Sequence, residues 1–467
     1  MTAKILKLPF SQIFLDIFKI IILAIVYFIA GEISFLVSQE NIIVTIVYFL
    51  PEGFALAAIL IYGKNIWPGI FIGQFLLASY SGMAEFPALC ISVINSFQAI
   101  IGLALFDRFN LNRELTSLKD VMGLLFIITI VIQPVSAILG NLVLVLFSIS
   151  SQSNYLGNTL SWWFGNIMGQ FLLTPYLLLL YANYKTLKFA EVVSYVAGFG
   201  LMSYVTLVAF PINSLSILMS LTMPLVVLLT FYKNIALAYS AIITISFVAL
   251  YSSYLGIGVF DAGDSVGNIV DLNFFILSHI FLVLIVGTLV NEMNSHKDKL
   301  KSMATYDYLT GLPNRNLLNE RFNNVIAIAH RHHIASAICF ADVDGFKYVN
   351  DTFGHSTGDR VLKEIAHRIH LFIKEEDSLI RLGGDEFLII LAGIDSDKDI
   401  RQILGRISAT VNEPMLIKEH DINVSLSIGV AICPDDGDTI ADLMDFSDKA
   451  MYLAKRKGAN CFVFHGE

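Results

Sequence analysis

The stretch Arg381-Leu382-Gly383-Gly384-Asp385-Glu386-Phe387 decides how the C-terminal part of this chain folds. Before it, Ser378 to Arg381 alternates into a short strand. After it, Phe387 to Leu391 is an apolar run of the kind that forms a buried strand. Two glycines between such runs mark a tight hairpin. The turn needs glycine for its φ angles, but it has no use for the two carboxylates, Asp385 and Glu386, that directly follow the glycines. They mark a site.

A second acidic cluster lies upstream, where Ser336 to Phe340 reads as a central strand and runs into Ala341-Asp342-Val343-Asp344-Gly345-Phe346-Lys347. Side chains alternate along a strand, so Asp342 and Asp344 share one face and Val343 points the other way. One of the two aspartates is expected to meet the hairpin carboxylates. Carboxylates gathered this densely repel unless a cation sits among them. All-oxygen ligation suits Mg²⁺, which takes one or two protein carboxylates together with substrate phosphates. The implied substrate is a nucleotide.

The charges are spread unevenly around this core. Of 30 Lys/Arg and 39 Asp/Glu, residues 1–290 hold only 10 and 12, so the net charge of −9 falls mostly on the remainder. No basic footprint for nucleic acid is present. Residues 1–290 instead contain apolar runs near 17–37, 42–62, 66–80, 86–106, 120–148, 159–181, 192–210, 214–232, 234–256 and 272–290. Most approach the ~20 residues needed to cross a bilayer, so an integral membrane domain of about ten spans is expected. The first run lacks a small-residue cleavage site, which argues against a cleaved signal peptide.

Positive loops stay in the cytoplasm. Alternate connections carry Lys64, then Arg108, Arg113 and Lys119, then Lys185 and Lys188, then Lys233; the others carry Glu40, Glu85, Ser150 to Asn158, Asn213, and Asp261 with Asp264. With Lys4, Lys7 and Lys19 at the start, both termini are expected inside a cell (inner) membrane. Glu52, Asn95, Gln98, Gln133, Asn166 and Gln170 lie in or at the edges of spans, where polar groups are costly unless they face a partner or a cavity. The amides read as interhelical hydrogen-bond glue beside Gly53, Gly73 and Gly169. Glu52, beside Pro51, is equally a ligand or ion contact.

Residues 291–305 join the halves. Leu289, Met293, His296, Leu300 and Met303 follow a heptad spacing that continues the last span as a short parallel coiled coil, with chance amphipathicity as the alternative. Residues 306–467 read as helix 314–333, strand 336–342, helix 349–373, hairpin 378–391, helix 398–412, strands 414–418 and 421–432, helix 439–457 and a short last strand, an α+β sandwich. Cys90, Cys339, Cys433 and Cys461 lack metal-type spacing and read as packing residues. Neighbours in His330-Arg331-His332-His333 point in different directions on a helix, so that cluster reads as a solvated helix end.

The C-terminal part resembles the GGDEF family of diguanylate cyclases. The resemblance rests on Asp307-Tyr308-Leu309-Thr310-Gly311-Leu312-Pro313-Asn314-Arg315, Asp342 to Lys347 with Asn350-Asp351, Gly354-His355 through Gly358-Asp359, the hairpin, and Ser427-Ile428-Gly429-Val430-Ala431. It implies an α+β ferredoxin-like palm akin to nucleotidyl cyclases, which here follows the polytopic α-helical membrane domain expected from the apolar runs. The implied reaction is condensation of two GTP into cyclic di-GMP and two pyrophosphates by a homodimer. It also implies Mg²⁺ or Mn²⁺ on Asp342, the Val343 carbonyl, Asp385 and Glu386, with Glu386 as ligand or base. Lys347 would stabilise phosphate charge, Asn350 and Asp359 would hold guanine, and Lys455 would reach the terminal phosphates. No phosphodiesterase domain is expected after Glu467.

In the membrane half, Pro51-Glu52-Gly53-Phe54-Ala55-Leu56-Ala57-Ala58, Gly63-Lys64-Asn65-Ile66-Trp67-Pro68-Gly69-Ile70-Phe71-Ile72-Gly73, and Gly165-Asn166, Gly169-Gln170 and Thr174-Pro175 resemble the first of the MASE-type membrane sensor families, over most of 15–295. This implies an input role towards an unknown sensory ligand or membrane protein partner. Two departures stand out. Lys374-Glu375-Glu376-Asp377 replaces the Arg-x-x-Asp of the family's product-inhibition site, and Lys lacks arginine's planar fork. Gly458-Ala459-Asn460 replaces the usual Gly-Arg-Asn, with Arg456 or Lys457 as substitutes. The alternatives are a nucleotide receptor without turnover and a transporter with a regulatory domain.

Overall fold

The computed structural model describes residues 10–37, 48–204, 215–232, 235–255, 266–332, 334–394 and 396–467. Lys4, Lys7, Glu40, Asn213, Lys233, Asp261, Asp264 and His333 lie outside the described residues. The chain divides into two compact units, Met1–Asn294 and Ser295–Glu467.

In the first unit each apolar run holds a helix among the described residues. The helices are Phe10–Val37, Leu50–Tyr62, Trp67–Tyr80, Glu85–Arg108, Leu118–Phe126 continued through a π-helical Ile127–Ile132 into Gln133–Leu146, Tyr155–Asn183, Phe189–Tyr204, Leu215–Tyr232, Ile235–Tyr254 and Val266–Thr305. Among the described residues, six helical stretches are long and apolar enough to cross a membrane, while Leu50–Tyr62 and Leu221–Phe231 are apolar but shorter. Backbones approach closely where glycine allows it: a Cβ at Gly53 would lie 2.5 Å from the Gly169 carbonyl oxygen, and one at Gly169 would overlap the Phe49 carbonyl. Leu50–Tyr62 and Tyr155–Asn183 therefore meet through glycine, as small-residue helix contacts in membranes do.

The interior polar groups divide into two kinds. Tyr27 Oη lies 2.8 Å from both Glu52 Oε1 and Gln74 Oε1 and shares its one proton between them, Asn95 Nδ2 donates to Gln74 Oε1 at 3.1 Å, and Gln98 Nε2 donates to Glu52 Oε2. Asn95 and Gln98 are thus interhelical glue, and Glu52 is tied to neutral donors. Gln170 reaches the Glu52 carbonyl at 3.5 Å. Gln133 and the Nδ2 of Asn166 differ: both are buried and have no hydrogen-bond partner among the described residues.

The second unit is built on a five-stranded sheet. Its strands are β1 (Ala335–Asp344), β2 (Ser378–Gly383), β3 (Glu386–Ile394), β6 (Ser425–Cys433) and β7 (Cys461–Phe464), in the order β2-β3-β1-β6-β7; β4 (Met415–Ile417) and β5 (His420–Ile422) form a separate hairpin. All neighbours in the main sheet are antiparallel except β6 and β7. Helices after β1 and β3 give the βαββαβ order of a ferredoxin-like palm. Alternation along β1 makes two cores. Ala337, Cys339, Ala341 and Val343 face Val361, Ile365 and Leu404, while Ile338 and Phe340 face Phe322, Leu443 and Met451. A Cβ at Gly429 would overlap the Ser447 carbonyl, so helix Ile440–Lys457 rests directly on β6.

Several elements differ from the sequence expectation. The single helix expected over 349–373 is two, Phe346–Phe353 and His355–His370, because Gly354 takes φ +82°, which interrupts the helix and which glycine adopts without strain. The strand expected over 421–432 is also two, since β5 turns back on β4 through Lys418 and Glu419 at positive φ while β6 joins the main sheet. The helix expected from 314 begins at Leu318, because Asn314 is held by Thr305 and pairs with Arg381 as an isolated bridge. The hairpin turn is Gly384-Asp385 rather than Gly383-Gly384, with Gly383 opposite Glu386. Asp385 therefore sits in the turn, and only Glu386 begins the returning strand.

Candidate active site

The carboxylates converge at one end of the sheet because β1 and β3 end there in register. Asp342 is paired directly with Glu386 across the antiparallel ladder. The Val343 amide donates to the Asp385 carbonyl at 3.2 Å, which ties the turn to the end of β1. Lys455, in the last turn of helix Ile440–Lys457, places its Nζ 2.7 Å from Asp342 Oδ1. The other aspartate of the pair has a different task. Asp344 accepts from Ser425 Oγ and Ser427 Oγ, each at 2.7 Å, and from the Asn460 amide at 3.1 Å. It braces β6 and the final turn, leaving Asp342 to meet the hairpin.

Charge at this end of the sheet is undercompensated. Burial pushes the Asp342 carboxyl above its ordinary range; the hydrogen bond from Lys455 opposes the rise, and Asp385 and Asp344 add to it. Glu386 is raised by burial and then by Asp342, Asp385 and Asp448, with Lys455 opposing. One ammonium among several carboxylates leaves a site that favours an added cation. Among the described residues no three acidic, His or Cys side chains are gathered closely enough to hold a metal alone. The donor set therefore fits a hard divalent cation that completes its shell with water and phosphate oxygens, as Mg²⁺ does.

Of the remaining sequence-selected residues, those after β1 lead away from this end, whereas Lys374 and Asp377 lie at the other end of the β2–β3 hairpin, before Ser378 and beside Ala392. Gly345, at φ +74°, turns the chain out of β1 into helix Phe346–Phe353, which carries Lys347, exposed, and Asn350, half-buried. Asn350 Oδ1 lies where a Cβ on Gly358 would be, so Asn350 is brought against the residue before the exposed Asp359. Asp377 accepts from the Lys374 amide at 2.7 Å and from the Ala392 amide at 2.9 Å, so both of its oxygens are committed to backbone. Ala459 and Asn460 take positive φ, 60° and 49°, in the turn where the usual arginine is missing.

Sequence reasoning assigned no role to Arg381, which the structure gives a central one. Arg381 is buried, pairs with Asp307 at 2.8 Å, and donates to the Gly384 carbonyl through Nε at 3.2 Å and Nη2 at 2.7 Å. Asp307 also accepts from the Thr310 amide and hydroxyl at 2.9 and 2.6 Å. Partial burial raises the Asp307 carboxyl, but the bonds from Thr310 and Arg381 prevail and hold it below its usual range. The Asp307-to-Asn314 segment thus fastens the hairpin turn from behind through a planar guanidinium. Its only sequence signal was an arginine, a charged residue, inside an otherwise apolar strand.

Residues 304–461 match the family model described as diguanylate cyclase, GGDEF domain, and residues 15–294 match that of MASE1. Over 166 residues the chain is 40% identical to the bifunctional diguanylate cyclase/cyclic di-GMP phosphodiesterase MucR of Pseudomonas aeruginosa, covering 36% of this chain and 24% of that protein. It is 38% identical over 179 residues to the diguanylate cyclase TpbB of the same organism, covering 37% of this chain and 41% of that protein. The chain therefore spans less than half the length of these curated relatives. A solved structure of the GGDEF domain of TpbB aligns with 34% of this chain and 94% of its own, at 38% identity and a TM-score of 0.34.

Proposed function

We propose, from the premise that this chain belongs to the MASE1 family and carries a GGDEF domain, that it is an integral membrane sensor enzyme. In this reading it condenses two GTP molecules into cyclic di-GMP and two pyrophosphates under control of its membrane half. The observation that carries the reading is the pairing of Asp342 with Glu386 in register, next to Asp385 in the turn. A sheet needs no such carboxylates, and nucleotide condensation does.

In each half-reaction a 3′-hydroxyl loses its proton and attacks an α-phosphorus in line, and pyrophosphate leaves with the bonding electrons. Mg²⁺ or Mn²⁺ held by Asp342, the Val343 carbonyl, Asp385 and Glu386 would supply Lewis-acid charge neutralisation on the phosphates. Glu386, as a further metal ligand or as the base, would take up the hydroxyl proton in the second of these roles. Lys455, paired with Asp342, would reach the terminal phosphates of a bound nucleotide, and the pairing keeps its ammonium at this strand end. Lys347 adds positive charge from the neighbouring helix, and Asn350 and Asp359 hold the guanine edge by hydrogen bonds.

Joining two nucleotides head to tail calls for two such sites facing each other across a two-fold axis, hence a homodimer. Leu289, Met293, Leu300 and Met303 on helix Val266–Thr305 are all exposed, an apolar row that a second copy would cover as a parallel stalk. Both termini face the cytoplasm in this reading, where GTP is available. Incubating the full-length protein in lipid nanodiscs with GTP and Mg²⁺ tests the assignment. Cyclic di-GMP and pyrophosphate should accumulate together, in a ratio of one to two. GTP that binds and is recovered unchanged would make the chain a receptor.

A further inference from the structure

We propose that the membrane unit contains a binding site for a small uncharged molecule carrying a hydrogen-bond-accepting oxygen, in a cavity beside Asn166. The cavity, of about 60 Å³, is walled by aromatic and aliphatic side chains, Phe49, Leu77, Met83, Ile91 and Trp162 among them. On a scale where ~10–15 Å³ holds one water, it takes about four or five heavy atoms. A neighbouring cavity of about 210 Å³ shares Ser81 and Met83 with it, which leaves room for a longer ligand or an entry path.

The polar groups specify the ligand. Gln74 Oε1 and Asn95 Nδ2 are bonded to each other at 3.1 Å, and Ser81 Oγ donates to the Leu77 carbonyl at 2.9 Å. Asn166 is 3% exposed, lines the same cavity, and its Nδ2 has no partner among the described residues. A buried amide donor left unpaired is costly, and a water needs two to four polar partners to settle in such a place. An apolar molecule with one acceptor oxygen satisfies the donor and fills the aromatic walls at once. Among the described residues no Lys, Arg, His, Asp or Glu lines the cavity, so a charged ligand finds no counter-ion.

The site is positioned to be read out. Ser81 to Met83 and Lys64 lie at opposite ends of helix Trp67–Tyr80, which puts the cavity at the end of the unit away from the lysine-bearing connection. Phe49, in the cavity wall, donates its amide to the Gly165 carbonyl at 3.0 Å. Its neighbour Tyr48 donates to Asn273 Oδ1 at 2.7 Å, and Asn273 belongs to helix Val266–Thr305. On the helix that carries Asn166, Phe171 meets Phe281 of that same final helix edge-on, with ring centroids 5.8 Å apart. Moving Phe49 or Asn166 therefore moves contacts on the helix that leaves the membrane unit. This coupling step rests on the proposed sensor reading; the binding site does not.

The test uses the full-length protein in nanodiscs with 2-butanone as probe, followed by saturation-transfer NMR and corrected against empty nanodiscs. The ketone should bind saturably. Asn166→Leu, which keeps the volume and removes the donor, should weaken binding about tenfold. Ala78 also lines the cavity, so Ala78→Val, which narrows it, should abolish binding, and butyrate and butylammonium should not bind. A signal no greater than that of empty nanodiscs, equal affinity in Asn166→Leu, or stronger binding of either ion would overturn the site. For the coupling, 2-butanone should change GTP turnover in the wild type and not in Tyr48→Phe, while binding to both. Saturable binding with no effect on turnover in the wild type would overturn the readout, and loss of turnover altogether would count against the enzyme reading instead.

Discussion

Glu52 in the membrane half and Asp342 at the end of β1 are both buried carboxyl groups with partners, but the partners differ in charge. Glu52 is fully enclosed and receives hydrogen bonds from the neutral donors Tyr27 and Gln98. Asp342 shares one lysine with other carboxylates, and both it and Glu386 are raised by burial and by each other's neighbours. The first arrangement is closed on itself and resembles structural glue. The second is incomplete by one cation, and an incomplete charge balance at the open end of a rigid sheet is what a metal and phosphates can complete. What separates the two is therefore not positive charge on a partner but crowding: Glu52 stands alone among neutral donors, whereas Asp342 shares its lysine with neighbouring carboxylates at a strand end.

Replacing each acid by its amide tests that contrast most sharply at the end of β1. Asp342→Asn should lower cyclic di-GMP synthesis on the order of a thousandfold, because losing a metal-binding charge costs about 4 kcal/mol of transition-state stabilisation. Its melting temperature should stay close to that of the wild type. Turnover within tenfold of the wild type would place the metal elsewhere.

Arg381→Ala should come next in effect. It leaves Asp307 and the Gly384 carbonyl without their shared donor, and breaking a buried pair on one side costs about 3 kcal/mol or more. Denaturant unfolding should register the loss, together with reduced activity as the turn loosens. Arg381→Lys should recover little of it, since an ammonium cannot reproduce the planar fork.

Feedback by product is a smaller expected effect. Lys374 stands where a planar arginine is usual, and Asp377 already spends both oxygens on the Lys374 and Ala392 amides. Progress curves with added cyclic di-GMP should bend only at concentrations well above the product formed in a normal assay. Tight inhibition that disappears in Asp377→Ala would mean the segment rearranges to bind product.

The smallest effect should come from Glu52→Gln. Tyr27 can donate to the new amide oxygen, and Gln98 can turn its unpartnered Oε1 to accept from the new amide nitrogen. Basal turnover in nanodiscs should change less than about twofold, as expected when both hydrogen bonds at this side chain are kept. A large change would mean that the charge on Glu52 is itself part of signalling.

What could be read from sequence tracked the range of the interactions. The hairpin was legible because its signals, two glycines and flanking apolar runs, are local, although which two residues form the turn was not. Asp342 could be separated from Asp344 only through Ser425, Ser427 and Asn460, which are more than 80 residues away in sequence. Arg381 was passed over for the same reason, its partner Asp307 being 74 residues upstream. Gly354 was missed because a lone glycine in a helical pattern is usually tolerated, and only its φ of +82° reveals the break. In the membrane half the pattern of apolar runs located the helices. Which buried amides were satisfied and which were not depended on helix packing that periodicity does not encode.

The central claim is that the membrane half controls the cyclase through helix Val266–Thr305, and the phase of that helix tests it most directly. Inserting four residues after Ser302 rotates Leu289, Met293 and Leu300 out of line with Met303 and the chain beyond it, whereas inserting seven keeps the exposed row nearly in line. Cyclic di-GMP synthesis by the full-length protein in nanodiscs should change severalfold with the four-residue insertion and return to near the wild-type rate with seven. Equal rates for the wild type and both insertions would contradict the account, leaving the helix as a tether and nothing more.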